Sequence, residues 1–253
     1  MNQLQRFSKW IHTSPSLFEE VYPFMSLRNL SINNKVLPPY HGNPRLGFIY
    51  QHLCTQLFES SRQYHVELEE FQINQPNGTT LGAIDLILLN NATQQYEHWE
   101  VAIKFYLLKD GTWYGPNAHD QLDKKIDRML SHQLKMGTSP HFLHHHPTLN
   151  DLSEQLLIQG RLYINPFEVE SIPTACSGYH LNQSQISGYW CYQSQFHLIE
   201  PKLYTLEKIE WATGLTRHKL PLVQPEGKFN HAQTEDGQFW FIVADSWPNK
   251  NLF

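Results

Sequence analysis

Hydrophobic positions along this chain change period several times, and each change marks a predicted element. Phe7, Trp10, Ile11, Leu17, Phe18 and Val21 recur at helical intervals interrupted by Ser14-Pro15, which predicts two short helices. Positions 27–42 carry no period and are expected to be irregular. Asn43-Pro44 then supplies a cap and a first-turn proline. The helix it opens carries one apolar stripe, Leu46, Ile49, Tyr50, Leu53 and Leu57, bordered by Gln51 and Thr55.

Further along, the period shortens to two. A strand is predicted over 64–73, ending at Pro76-Asn77-Gly78, where Asn-Gly is a strong hairpin signal. The next strand, 80–89, reads TLGAIDLILL, apolar on both parities except at Asp85, as expected of a strand covered on both faces. The third, 99–106, alternates strictly. Trp99, Val101, Ile103 and Phe105 point one way and Glu100, Ala102, Lys104 and Tyr106 the other, so one face is expected to be core and the other to carry chemistry.

After Gly115-Pro116-Asn117 the helical period returns in Leu122, Ile126, Met129, Leu130 and Leu134, with Gly137 placed to end the helix. Later signals are weaker: 161–167 and 239–244 read as strands, and Trp190, Trp211 and Trp247 as core or interface aromatics. The expected architecture is a single α/β domain over 1–253, with an α-β-β-β-α-β core whose mixed sheet is flanked by helices. That core occupies 44–137, and 138–253 form a β-rich elaboration of the same body.

Composition narrows this picture. Apolar residues at 40% and charged residues at 17% describe a globular chain. The absence of a secretory start or a membrane-length apolar run leads us to expect a cytoplasmic protein with no membrane partner. Cys54, Cys176 and Cys191 are odd in number and widely spaced, against a disulfide framework or a zinc knuckle. A net charge of −5 opposes a broad electrostatic grip on nucleic acid, so any such binding must be local.

The candidate chemistry comes from register. A hairpin turn centred between Ala92 and Thr93 pairs residues whose numbers sum to 185, which sets Asp85 opposite Glu100. Directly opposed carboxylates lie roughly 5 Å apart at Cβ and repel unless a cation or proton lies between them. A hard divalent ion, Mg²⁺ or Mn²⁺, suits two such oxygen ligands better than zinc does. Ala102 leaves room beside it, and Lys104, further along the same face, is placed to hold a phosphate or an attacking water. The outline is phosphodiester hydrolysis with Asp85, Glu100 and Lys104 as catalytic residues. The competing reading is an ordinary amphipathic strand with a surface Glu and Lys.

Gly82-Ala83-Ile84-Asp85, Glu100-Val101-Ala102-Ile103-Lys104 and the helix bearing Gln121-Leu122-Asp123-Lys124-Lys125 resemble the motif series of PD-(D/E)XK nucleases of the RecB type. More closely, RLGFIYQHL, TTLGAIDLILL, HWEVAIKFYLL, WYGPNAHDQLDKKIDRMLSHQL and the late DSWP resemble the bacterial domain-of-unknown-function family DUF1853. That family is grouped by fold with PD-(D/E)XK phosphodiesterases. The resemblance therefore implies a restriction-endonuclease-like core, a divalent metal held by Asp85 and Glu100, and a nucleic-acid substrate.

Two departures stand out. Ala102 occupies the acidic position two before the lysine, so the acid is expected to have moved to Glu100 or been lost. Gln51 stands where such nucleases often carry a first-helix glutamate, with Glu59 a possible substitute. Gln121 and Lys125, four apart on one helical face, are expected to reach phosphate or base, and Gln51 to line the substrate site. Against this, Asp120–Lys124 pairing would make that helix face merely solvated. His141, His144, His145 and His146 read as a compositional tract, with a metal site the less favoured reading. His52 and His119 read as polar neighbours. A different class of function also fits the sequence: a non-catalytic nucleic-acid-binding or protein-interaction module on the same scaffold.

Overall fold

The structure is a computed structural model describing residues 2–33, 37–74, 78–217 and 219–249. In chain order the helices are α1 (Gln3–Thr13), α2 (Leu46–Ser60), α3 (Leu122–Arg128), α4 (Pro140–His145) and α5 (Glu210–Thr213). The long strands are β1 (Tyr64–Asn74), β2 (Thr80–Asn90), β3 (Gln95–Lys109) and β5 (Leu152–Ile164). Shorter ones are β4 (Thr112–Tyr114), β6 (Ala175–Cys176), β7 (Tyr179–His180), β8 (Ile186–Tyr192), β9 (Leu203–Thr205), β10 (Phe229–Thr234) and β11 (Phe239–Val243). The fold is mixed α/β, with a large mixed sheet of order β1-β2-β3-β5-β8-β11-β10-β9, β4 beside β3, and flanking helices. Among the described residues no helix is long and apolar enough to cross a membrane. The chain divides into two compact units, Met1–Ile103 with Ile126–Gln159, and Lys104–Lys125 with Gly160–Phe253.

In the first unit, α1 opens with a capping box in which Asn2 and Gln5 satisfy each other's backbone amides at 2.8 and 3.1 Å. It stops before Pro15, whose ring disfavours helix at the preceding residue. The second short helix expected from Leu17, Phe18 and Val21 does not form. Instead the Leu17 amide and the Ser16 hydroxyl donate to the Ile158 carbonyl at 2.8 and 3.0 Å, and Phe24 bridges Leu156. The backbone donors are satisfied by β5, so helix is not needed to bury Leu17 and Phe18, and Val21 is left 63% exposed. At α2 the predicted cap falls slightly early, because Asn43 accepts from the Arg45 amide at 3.0 Å and the helix begins at Leu46.

β1 and β2 pair antiparallel, as the hairpin signal predicts. Of the turn itself, Pro76 and Asn77 lie outside the described residues, while Gly78 takes φ +83°. The β2–β3 ladder runs from Asn90 opposite Gln95 to Leu86 opposite Trp99, pairs whose numbers sum to 185. The polar parity of β3 is largely covered too: His98, Glu100 and Tyr106 are as buried as Trp99 and Phe105, with Gln133 and Leu134 packed against Glu100 and His98, while Ala102 and Lys104 are half-buried.

The helix predicted to run to Gly137 changes pitch. α3 gives way to a π turn, Met129–Gln133, and then to a 3-10 turn, Leu134–Thr138. Gly82 makes room for that segment, since a Cβ there would lie 2.6 Å from the Met136 sulfur. Met136, Phe142 and Leu149 close over Ile73, Ile84 and Ile87 to complete the core on this side. The histidine tract is helical at α4, capped by Ser139, and His146 packs on the Phe71 and Phe142 rings.

The second unit is built on β8 and β11, parallel to each other, with β10 and β9 following antiparallel. The strand expected at 161–167 belongs to β5, which starts at Leu152, and that expected at 239–244 is β11. All three late tryptophans are core. Trp190 donates to the Leu108 carbonyl at 2.9 Å and meets Trp247 edge-on, and Trp211 meets Phe241 in the same way.

At its centre lies a buried polar chain. The Arg161 guanidinium stacks on the Phe239 ring at 3.4 Å and donates to the Tyr163 oxygen, and the Tyr163 hydroxyl is hydrogen-bonded to His231 Nε2 at 2.9 Å. Burial, with the charges of Arg161 and Lys208, holds the His231 pKa well below the ordinary histidine value of 6.5. Between 6.5 and that lowered value the unfolded chain takes up a proton the folded chain refuses, so stability falls as pH drops below 6.5. His231→Gln keeps a hydrogen-bonding group beside Tyr163 and does not titrate. In urea titrations from about pH 7 to about pH 5 it is expected to flatten the acid limb, by up to about 1.4 kcal/mol per pH unit. An unchanged slope would show that His231 does not contribute to the acid limb.

Candidate active site

Alternation on β3 puts His98, Glu100, Ala102, Lys104 and Tyr106 on one parity, and the ladder with β2 brings Asp85 to the level of Glu100. There the regular pairing ends. Beyond Leu86 and Trp99 the Asp85 carboxylate takes over the ladder's role, with Oδ2 accepting from the Val101 amide at 2.9 Å. The Asp85 amide approaches Glu100 Oε1 at 3.4 Å. The two predicted carboxylates are thus brought together, Asp85 half-buried and Glu100 fully buried.

Three residues missed in the sequence complete the cluster. Gln133 donates to Glu100 Oε2 at 2.7 Å, and His98 Nε2 lies 3.0 Å from Glu100 Oε1. Both contacts depend on the change of helical pitch. The π turn delivers Gln133 and then the Leu134 carbonyl, which lies 3.1 Å from His98 Nδ1. A carbonyl oxygen only accepts, so Nδ1 carries a hydrogen. Burial pushes the His98 imidazole down to about 4, so the ring is neutral and Nε2 presents a lone pair to Glu100. An ion pair between them would need His98 charged, which its enclosure opposes. The third residue, Tyr50 of α2, donates to Gln159 at 2.7 Å. Burial and the nearby Asp85 charge keep Tyr50 and its neighbour Cys54 protonated.

The donor chemistry fits a hard cation: two carboxylates, one of them firmly held. Among the described residues no three or more His, Cys, Asp or Glu side chains enclose a metal site. Asp85 and Glu100 are the residues that would hold such a cation, whose remaining positions hard ions commonly fill with water.

Gln51 is half-buried on α2, and Glu59 is held by Gln56 at 2.8 Å. Lys104 belongs to the second unit, where its ammonium pairs with Asp120 Oδ2 at 2.5 Å. The expected Asp120–Lys124 pair is accordingly replaced by Asp120–Lys104, and Lys124 stands exposed. Gln121 and Lys125 are half-buried one helical step apart, joined by the Lys125 amide to Gln121 carbonyl bond at 2.9 Å. Strand parity names Tyr106, two residues from Lys104, and, extended one residue before Trp99, would have added His98, two residues from Glu100. No local pattern pointed to Gln133.

Comparison with curated proteins and with solved structures gave no match. A family model does match, that of the domain of unknown function DUF1853, over residues 6–238. That span takes in both carboxylates, their enclosing His98 and Gln133, and Lys104 with Asp120, and the chain belongs to the DUF1853 family.

Proposed function

We propose that this chain is a divalent-metal-dependent phosphodiesterase acting on nucleic acid. In this reading its core is a variant of the restriction-endonuclease-like PD-(D/E)XK type, working in the cytoplasm. The observation that carries it is the meeting of Asp85 and Glu100 where the β2–β3 ladder ends. Asp85 and Glu100 would hold Mg²⁺ or Mn²⁺, which when bound polarises a phosphoryl oxygen and makes a bound water more acidic. His98 and Gln133 fix Glu100, and the Val101 amide fixes Asp85, so neither carboxylate must reorganise to take its charge-bearing role. Lys104 offers an ammonium to a phosphate oxygen. Gln121 and Lys125 supply local contacts to the nucleic acid, and Gln51 lines the substrate side. With a net charge of −5, affinity rests on such local contacts.

Titration calorimetry with Mg²⁺ and Mn²⁺ tests the metal site directly. Wild type is expected to bind at micromolar to millimolar concentration, and Asp85→Asn and Glu100→Gln to weaken binding about tenfold or more. A wild type that takes up neither ion, alone or with a single-stranded oligonucleotide present, would sink the reading. A second reading draws on the complete enclosure of Glu100 by His98 and Gln133. There the cluster is purely structural, and the scaffold is a non-catalytic module that binds nucleic acid or a protein. It requires oligonucleotide or partner binding that survives Asp85→Asn and needs no metal.

A further inference from the structure

We propose that Asp120 is the positioning residue for Lys104, and that Tyr106 positions Asp120 in turn. The inference rests on the phosphodiesterase reading and deepens it, because it says what keeps the phosphate-binding ammonium aimed. Lys104 Nζ lies 2.5 Å from Asp120 Oδ2, and the Tyr106 hydroxyl donates to the same oxygen at 3.1 Å. Tyr106 is fully buried, and burial together with the Asp120 charge pushes its pKa far up, so it is a permanent donor. Lys104 and Tyr106 share one parity of β3, so a single carboxylate from the following loop spans both.

That loop is closed on itself. The Gly115 amide donates to the Asp120 carbonyl and the Ala118 amide to the Gly115 carbonyl, each at 2.8 Å, while Tyr114 bridges Gln121. Trp247 Nε1 reaches the Gly115 carbonyl at 3.3 Å. Gly115 sits so close to Asp120 that a Cβ there would lie 3.1 Å from the Asp120 Cβ. Ala118 takes φ +59°, a left-handed conformation that is unfavourable for a residue with a side chain. Such strain persists where the surroundings over-determine the backbone, and here the bonds on either side of Ala118 do so.

A lysine side chain has many rotamers to lose, and an ordinary exposed ion pair does little to hold it. The Lys104–Asp120 pair is partly buried, with side-chain exposures of 27% and 33%, and its acceptor is itself fixed by Tyr106. An ammonium has three donors, and the pair uses one. The others are then presented to a phosphate oxygen in a set direction, which is the benefit of preorganisation.

Competitive labelling with an amine-reactive reagent, read at Lys104 by peptide mass spectrometry, tests the contact without requiring activity. It is run on wild type, Asp120→Asn, Asp120→Glu and Tyr106→Phe, alongside Mn²⁺-dependent hydrolysis of bis(p-nitrophenyl) phosphate by the same proteins. Asp120→Asn is expected to speed Lys104 labelling about fivefold or more and to lower kcat about 10- to 100-fold with KM nearly unchanged. Asp120→Glu should recover part of both, and Tyr106→Phe should show a smaller version of each change. In a Lys104→Met background Asp120→Asn should cost nothing further, a coupling that a merely structural role would not produce. Unchanged labelling in Asp120→Asn overturns the inference alone, as does faster labelling with unaltered kcat. Wild type that hydrolyses nothing, with the labelling change present, overturns the phosphodiesterase reading and the positioning role with it.

Discussion

Asp85→Asn is expected to remove metal-dependent phosphodiester hydrolysis, by about a thousandfold or more, while leaving the fold intact. The two effects separate because Asp85 has two jobs. Its Oδ2 accepts from the Val101 amide at 2.9 Å and so closes the ladder where backbone pairing stops. An asparagine oxygen accepts the same hydrogen bond, so the stability change should stay within about 1 kcal/mol. The negative charge is lost, and with it half of the carboxylate pair that a hard cation requires. A thousandfold loss corresponds to about 4 kcal/mol of transition-state stabilisation, within the range expected when a metal or charge-stabilising group is removed. The measurement is steady-state hydrolysis of a labelled oligonucleotide with Mn²⁺, paired with thermal unfolding of the same preparations. Retained hydrolysis with an unchanged melting temperature would mean that Asp85 serves the ladder alone.

The largest loss of stability is expected from a residue with no chemistry, Gly160. It lies in β5 at φ +151°, and a Cβ built there would sit 1.6 Å from the Lys104 carbonyl oxygen and 2.7 Å from its carbonyl carbon. No rotamer change relieves contact with backbone, so Gly160→Ala must displace the chain at Lys104 or at Gly160 itself. A cost of about 4 kcal/mol or more follows, at the severe end of single substitutions. For a chain of this size that lowers the melting temperature by roughly 10 °C. Gly78, at φ +83° with nothing within 4 Å of an added Cβ, is the control, since Gly78→Ala faces only the backbone penalty of about 1 kcal/mol. If differential scanning calorimetry finds the two variants equally stable, the close approach at Gly160 is not what holds β5 there. Because the obstructing atom belongs to Lys104, hydrolysis should fall in Gly160→Ala even where it remains folded.

Legibility in the sequence followed the range of the interactions. The β2–β3 register was readable because it needs only a short turn and strict alternation, both set within neighbouring residues. Leu86 opposite Trp99 and the approach of Asp85 to Glu100 follow from it. Failures came where a distant segment offered a better partner than the local pattern. Leu17 and Phe18 had helical spacing, but the Ile158 carbonyl satisfied the Leu17 amide and made the helix unnecessary. The stripe from Leu122 to Leu134 had one period, but its backbone passes from α to π to 3-10 geometry as it packs against Gly82.

The site divides along the same line. Which residues carry charge, and on which parity, was determined by the sequence alone: Asp85 within an apolar strand, Glu100 and Lys104 on one side of the next. What those charges face was decided by tertiary structure. Glu100 meets Gln133 across a separation of 33 residues, His98 meets the Leu134 carbonyl across 36, and Lys104 finds Asp120 across 16. Alternation is a property of one extended chain, so it is written into consecutive residues. Hydrogen-bond partners for buried charge are whatever packing brings within about 3 Å, and a π turn or a closed loop that shifts a side chain by one position changes the partner without altering the pattern of hydrophobic residues.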